Sequence, residues 1–155
     1  MHLNPETRDQ LAKDVHFLEQ DCSLKRGVPD ETLDVVFTSN FLEHLRSKNA
    51  LQFTLKEAFR SLRKGGKLVA MGPNIKYLAG RYRDFIDHHI PLTEASLSEA
   101  LEVEGFRLEK TTARFLQFTL VNTPKCPLLC IKAYLSLPVM WPIFGGQFLI
   151  IALKP

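Results

Sequence analysis

LDVVFTSNFLEHLRSK, Leu33 to Lys48, is the stretch that decides the reading of this chain. It opens as an apolar, β-branched run of the kind that forms a buried strand. It breaks at the small polar pair Ser39-Asn40 and resumes with helical spacing of leucines. A buried strand with polar residues at its C-terminal tip is how open α/β sheets build ligand sites. The stretch therefore predicts a site strand, with Asn40 at its end.

Working outward, the following segment FLEHLRSKNALQFTLKEAFRSLRK places Leu42, Leu45, Leu51, Leu55, Ala58, Phe59 and Leu62 close to helical period. Asn40 reads as its N-cap, with Glu43 three residues on as a capping box requires. Gly65-Gly66 reads as its end. KLVAMGPN is then a second buried strand, stopped by Gly72-Pro73. The segment from Ile75 to Pro91 reads as irregular or short-helical. Thr93 caps a helix over TEASLSEALEVEGF that ends at Gly105, and FRLEKTTARFLQFT has strand character. Residues 119–146 form an apolar excursion punctuated by prolines, and GQFLIIALKP closes the chain as a last strand. Upstream, Asn4-Pro5 caps a short helix through Arg8, Leu11 and Ala12. DVHFLEQDCS reads as a strand over Val15 to Glu19 that ends near Asp21.

The whole is one α/β domain of 155 residues, large enough for a real core. Its sheet is expected to be mostly parallel, with an antiparallel strand at the C-terminal edge. The composition, 45% apolar and 24% charged, is ordinary for a soluble protein. A net charge of +3 without a dense Lys/Arg stripe argues against nucleic acid as a partner. MHLNPETRDQ has no apolar signal region, and no run of about 18 apolar residues suggests a membrane span. The three cysteines, Cys22, Cys126 and Cys130, are odd in number and read as reduced, in a cytoplasmic protein.

The run from Asp30 to Asn74, PDETLDVVFTSNFLEHL followed by a helix and LRKGGKLVAMGPN, resembles the class I S-adenosylmethionine-dependent methyltransferases. HLNP, FLEQDCS and LTEASLSEALEVEGF resemble other parts of the same domain, so the likeness spans Leu3 to about Phe118 and the final strand. The resemblance implies a Rossmann-like methyltransferase sheet. It implies S-adenosylmethionine as cofactor and a small or lipid-like methyl acceptor of the group that includes quinones. By position it implies cofactor contacts at His2, Asn4, Asp21, Cys22 and Asn40. Physically, an Asp21 carboxylate can accept from an adenine amine, and the backbone N–H of Cys22 can donate to a ring nitrogen. A plain turn cap at Asp21 is the alternative.

The family's glycine-rich turn, of the type G-x-G-x-G, is not in this sequence, and His2 falls where an acidic ribose ligand is expected. The resemblance then implies a first strand and glycine turn lacking from this chain, and an unpaired edge on LDVVFTSN. Three readings follow: a piece of a longer protein, a short chain dependent on a partner or oligomer, or a rearranged sheet with Val15–Glu19 beside Val35–Phe37. Activity of the chain alone is then impaired, and a non-catalytic or partner-dependent remnant is the alternative.

Among other residues, DFIDHHIPLTE offers Asp84-His88 at helical spacing, a two-residue match too weak to assign a metal site. Tyr82, His88 and His89 are instead candidates for an active-site wall, and His44 for a general base, against bland structural roles for each. The excursion PLLCIKAYLSLPVMWPIFGG is either packed on the sheet or a lip for an apolar acceptor. In the second case Lys125 and Lys132 sit at the headgroup level, in peripheral membrane contact.

Overall fold

The computed structural model describes residues 14–16, 18, 20–21, 24, 27–78, 80–118 and 127–155. Among them, four strands form one mixed sheet: β1 Leu33–Ser39, β2 Leu62–Pro73, β3 Arg107–Thr112 and β4 Gln147–Leu153. Their order is β1-β2-β4-β3, with β1 parallel to β2 and the other two pairings antiparallel. The closing strand is antiparallel, as expected, and lies inside the sheet between β2 and β3 rather than at its edge.

Among the described residues, three helices of two turns or more accompany the sheet: α1 Lys48–Ser61, α2 Glu94–Val103 and α3 Leu128–Ser136. The core sits between the sheet and α1 and α2. Leu51, Leu55 and Ala58 of α1 and Leu97 and Leu101 of α2 pack with Leu68, Ala70, Phe148, Ile150 and Ala152 of the sheet. The spacing 51, 55, 58 is the one face of an α-helix that a sheet can bury.

Thr93 caps α2 as expected, and with Ser96 it forms a reciprocal capping box. The end of β2 is tied down by Asn74, which is fully buried. Its side-chain Nδ2 donates to Glu94 at 2.5 Å and to the Ala113 carbonyl at 2.9 Å. This joins the tip of β2 to the start of α2 and to the chain beyond β3.

Several local expectations are corrected. The helix after β1 does not begin at Asn40. Leu42–His44 is a 3-10 turn with no side-chain cap, and α1 starts after Ser47, whose hydroxyl accepts from the Ala50 N–H at 3.1 Å. Asn40 is left-handed, φ +47, and Glu43 is turned into the protein rather than back toward a cap. Periodicity misled because Leu42 and Leu45 are three apart, which suits a 3-10 turn as well as an α-helix. Gly65-Gly66 does not end α1, which stops at Ser61; Gly65, φ +77, shapes an irregularity within β2 that shifts the register against β1 between Leu33 and Val35. No strand is formed by the described residues of Val15–Glu19, and so no pairing with β1 is seen among them.

The described part of the apolar excursion, residues 127–146, is mostly exposed rather than packed on the core. Tyr134 donates to the Phe115 carbonyl at 2.5 Å, and Trp141 donates to the Tyr134 carbonyl at 3.1 Å. Arg114 holds the Gly145 and Ile143 carbonyls, where the backbone passes so close that a Cβ at Gly145 would lie 2.6 Å from the Trp141 oxygen. These anchors leave Leu128, Leu129, Val139, Ile143 and Phe144 exposed. Among the described residues no helix is long and apolar enough to cross a membrane.

Candidate functional site

Parallel pairing of β1 and β2 brings their C-terminal ends to one edge of the sheet, and two cavities open there. Ser39 and Phe41 line the first, and Asn40 between them lines the second.

The first cavity, about 360 Å³, runs along β1 and is walled by Val36, Phe37, Leu42 and Leu55, with Gln20 at its margin. Its lining is mostly apolar. Thr38 contributes a hydroxyl oxygen that is buried and has no partner. An apolar slot with one unpaired polar atom suits an aromatic base with polar edges.

The second cavity, about 310 Å³, has aromatic walls at Phe85 and Phe118 and a polar floor of Glu43, His44, Asp87, His88 and Gln147. Glu43 and His44 come from the 3-10 turn after β1. Asp87 and His88 come from the irregular segment after β2. The segments are stitched together by the Glu43 carbonyl, which accepts from the His89 N–H at 2.8 Å and the Ile90 N–H at 3.1 Å.

Within this floor the Nδ1 of His44 lies 3.1 Å from both the Asp87 carboxylate and the Asp87 carbonyl. Its Nε2 faces the Glu43 carboxylate at 3.9 Å. The His88 ring meets His44 edge-on at 4.9 Å between centroids and stacks near Phe85 at 4.9 Å. Glu43 is 1% exposed, and burial holds its carboxyl above the ordinary glutamate range. Burial, and secondarily His44, push His88 below the ordinary histidine range. Tyr82 is buried, donates to the Ile90 carbonyl and packs 4.6 Å from the His88 ring. Burial pushes its hydroxyl up to about 12.

Of the residues singled out from sequence, the structure brings His44 and His88 together, with Tyr82 behind them. His89 is exposed and contributes its backbone to the turn rather than lining the cavity. Asp84 is exposed and is not among the clustered ligand-type groups; Glu43, His44 and His88 are. Asn40 stands at the strand tip as expected. Asp21 is exposed, and its carbonyl accepts from Leu24 at 3.1 Å. His2, Asn4 and Cys22, together with residues 5–12 and Cys126, lie outside the described residues. Glu43, Asp87 and Gln147 were missed as site residues. For Asp87 a signal existed: it follows β2 as His44 follows β1, and parallel neighbours end together.

Residues 2–70 match the model of a methyltransferase domain family. Over 90 residues, 57% of this chain, the sequence is 38% identical to a protein of Mycolicibacterium smegmatis named as an S-adenosylmethionine-dependent methyltransferase. The chain covers 34% of that relative, about a third of its length. Among solved structures, an S-adenosylmethionine-dependent methyltransferase from Archaeoglobus fulgidus superposes with a TM-score of 0.68 at 20% identity, over 97% of this chain and 73% of the other. A chain from the complex of the Haloferax volcanii Trm112 methyltransferase activator with a methyltransferase gives 0.67 at 14% identity, over 96% and 66%. Residues 2–70 are thus similar in sequence to a methyltransferase domain, and nearly the whole chain shares the fold of the Archaeoglobus structure.

Proposed function

We propose that the chain serves methyl transfer from S-adenosylmethionine to a small or lipid-like acceptor. The observation that carries this reading is the pair of cavities at one strand tip, an apolar one lined by Ser39 and Phe41 and a polar one lined by Asn40. Val36, Phe37 and Phe41 fit the faces of an adenine, and the unpaired Thr38 oxygen fits its polar edge. These residues would hold the adenosine side of the cofactor, and Asn40, at the second cavity, would face its sulfonium or amino-acid end. When bound, the cofactor supplies a methyl group on an activated sulfonium. The chain then has mainly to place the acceptor in line, and positioning accounts for much of such a reaction. Phe85 and Phe118, whose rings meet edge-on at 6.0 Å between centroids, would offer a flat or apolar acceptor an aromatic wall, and the floor would hold its polar end.

A lipid-like acceptor is supported by the exposed side chains of Leu128, Leu129, Val139 and Phe144, on an excursion that rejoins the sheet at Gln147 beside the second cavity. Peripheral contact of a cytoplasmic protein with a membrane surface follows from the same face. Radiolabelled methyl transfer to a panel of phenols and amines, free and in vesicles, tests the reading. Product from vesicle-borne acceptors alone supports the lipid-like class, and product from none of them counts against the function.

A second reading, a partner-dependent or non-catalytic remnant, is favoured by the outer edge of β1. No strand pairs there among the described residues, and Val35 and Phe37 are 55% and 64% exposed. A partner, another copy or a further strand covering that edge would complete the wall of the first cavity. The Haloferax neighbour was solved with an activator bound, which makes such dependence a reasonable model here.

A further inference from the structure

We propose that Glu43, His44 and His88 bind a divalent transition-metal cation at the floor of the second cavity, with Asp87 orienting His44 from behind. One ligand atom from each of the three residues lies within 4.8 Å of the others. Two imidazoles and one carboxylate form a donor set suited to zinc or a similar cation, and three protein donors leave a coordination position open. With metal–ligand distances of about 2.0–2.2 Å, donors end roughly 3.5 Å apart, so small side-chain rotations close the set.

Three further observations point to a ligand at this place. Gln147, 5% exposed, lines the same cavity, and its Oε1 is buried without a partner. His88 Nδ1 is likewise buried and unpaired. A buried polar atom left unpaired is costly, so two in one cavity mark a place where something binds. Third, the Asp87–His44 pair is the carboxylate–imidazole arrangement that fixes a ligating ring and makes its free nitrogen more basic.

The consequence for chemistry rests on the methyl-transfer reading. The open position accepts the acceptor's oxygen, whose proton leaves to solvent. The oxygen then forms its bond to the methyl carbon as the carbon–sulfur bond breaks, and sulfur keeps the electron pair.

The test is calorimetry of the full chain with zinc chloride alone, followed by manganese and magnesium. One zinc ion per chain is expected. Glu43→Gln, His44→Gln and His88→Gln should each weaken binding tenfold or more, and Asp87→Asn by about 10–100-fold as the partner behind a ligand. Imidazole nitrogen NMR of the unaltered chain requires no variant. Zinc should move the His44 and His88 signals and leave His89 in place. No binding of any of the three cations, or binding with unmoved His44 and His88 signals, overturns the proposal. Binding of S-adenosylhomocysteine is measured separately, so loss of the metal site and loss of the cofactor site are distinguished.

Discussion

His44 Nδ1 and the Asp87 carboxylate stand 3.1 Å apart, joining the segment after β1 to the segment after β2. Because Asp87 also presents its backbone carbonyl at 3.1 Å, Nδ1 is surrounded by acceptors and must carry a hydrogen. The ring is thereby set with Nε2 toward Glu43. At a pH above the histidine range, nitrogen NMR should find His44 as the Nδ1–H tautomer. Asp87→Ala, which removes the carboxylate, should shift the population toward the Nε2–H form. A variant spectrum identical to that of the parent would show that the Asp87 carboxylate does not orient the ring.

The buried carboxylate of Glu43 makes a second prediction, concerning stability. Its native pKa lies above the ordinary value of 4.5, so between those values the folded chain binds more protons than the unfolded one. Stability therefore falls as pH rises through that window, and the penalty is full above the native pKa. Glu43→Gln keeps the shape and removes the charge. In metal-free protein it should raise the melting temperature at pH 7, with the difference vanishing in acid. His88 acts oppositely: its pKa is below 6.5, so its neutral ring costs stability as pH falls through the range between. His88→Gln should lack that acid-side loss. Melting curves from pH 4 to 8 read both slopes.

Ser47 is the N-cap of α1, and its hydroxyl accepts from Ala50 at 3.1 Å. Ser47→Ala should cost about 1 kcal/mol in a denaturant titration. Asn40→Ala, at the position first expected to cap, leaves no helix N–H unpaired. A larger loss from Ser47→Ala than from removal of any Asn40 cap bond distinguishes the two starts. Equal loss of helix signal in both variants would contradict the observed start.

The open edge of β1 carries a third kind of prediction. Phe37 is 64% exposed on an edge where no strand pairs among the described residues, a template for pairing with another chain. Phe37→Lys should lower concentration-dependent association in sedimentation velocity while shifting the melting temperature little. An unchanged association profile would place self-association elsewhere or nowhere.

Much of this was legible in the sequence. LDVVFTSN and KLVAMGPN are β-branched and apolar on both faces and sit where the strands are. Thr93 and Ser96 announce the start of α2, and the likeness to methyltransferases named the sheet. What sequence could not give is direction. Glu43 follows Leu42 in what looks like a helix, where an acid normally faces water, and only the break at Leu45–Ser47 turns it inward. Gln147 is an amide at the start of a strand, and nothing local shows that it is buried. The excursion reads equally well as core or lip, because its apolar residues cover more than one face. The anchors that decide, Tyr134 to Phe115 and Arg114 to Gly145, join residues far apart in the chain.

The central claim is that the β1 tip holds an adenosyl cofactor, and calorimetry with S-adenosylhomocysteine tests it most directly. The account predicts saturable binding at one site per chain, weakened by Thr38→Val, which keeps the side-chain shape and removes the oxygen that awaits a partner. No detectable heat at millimolar ligand, with the chain folded by circular dichroism, would contradict it.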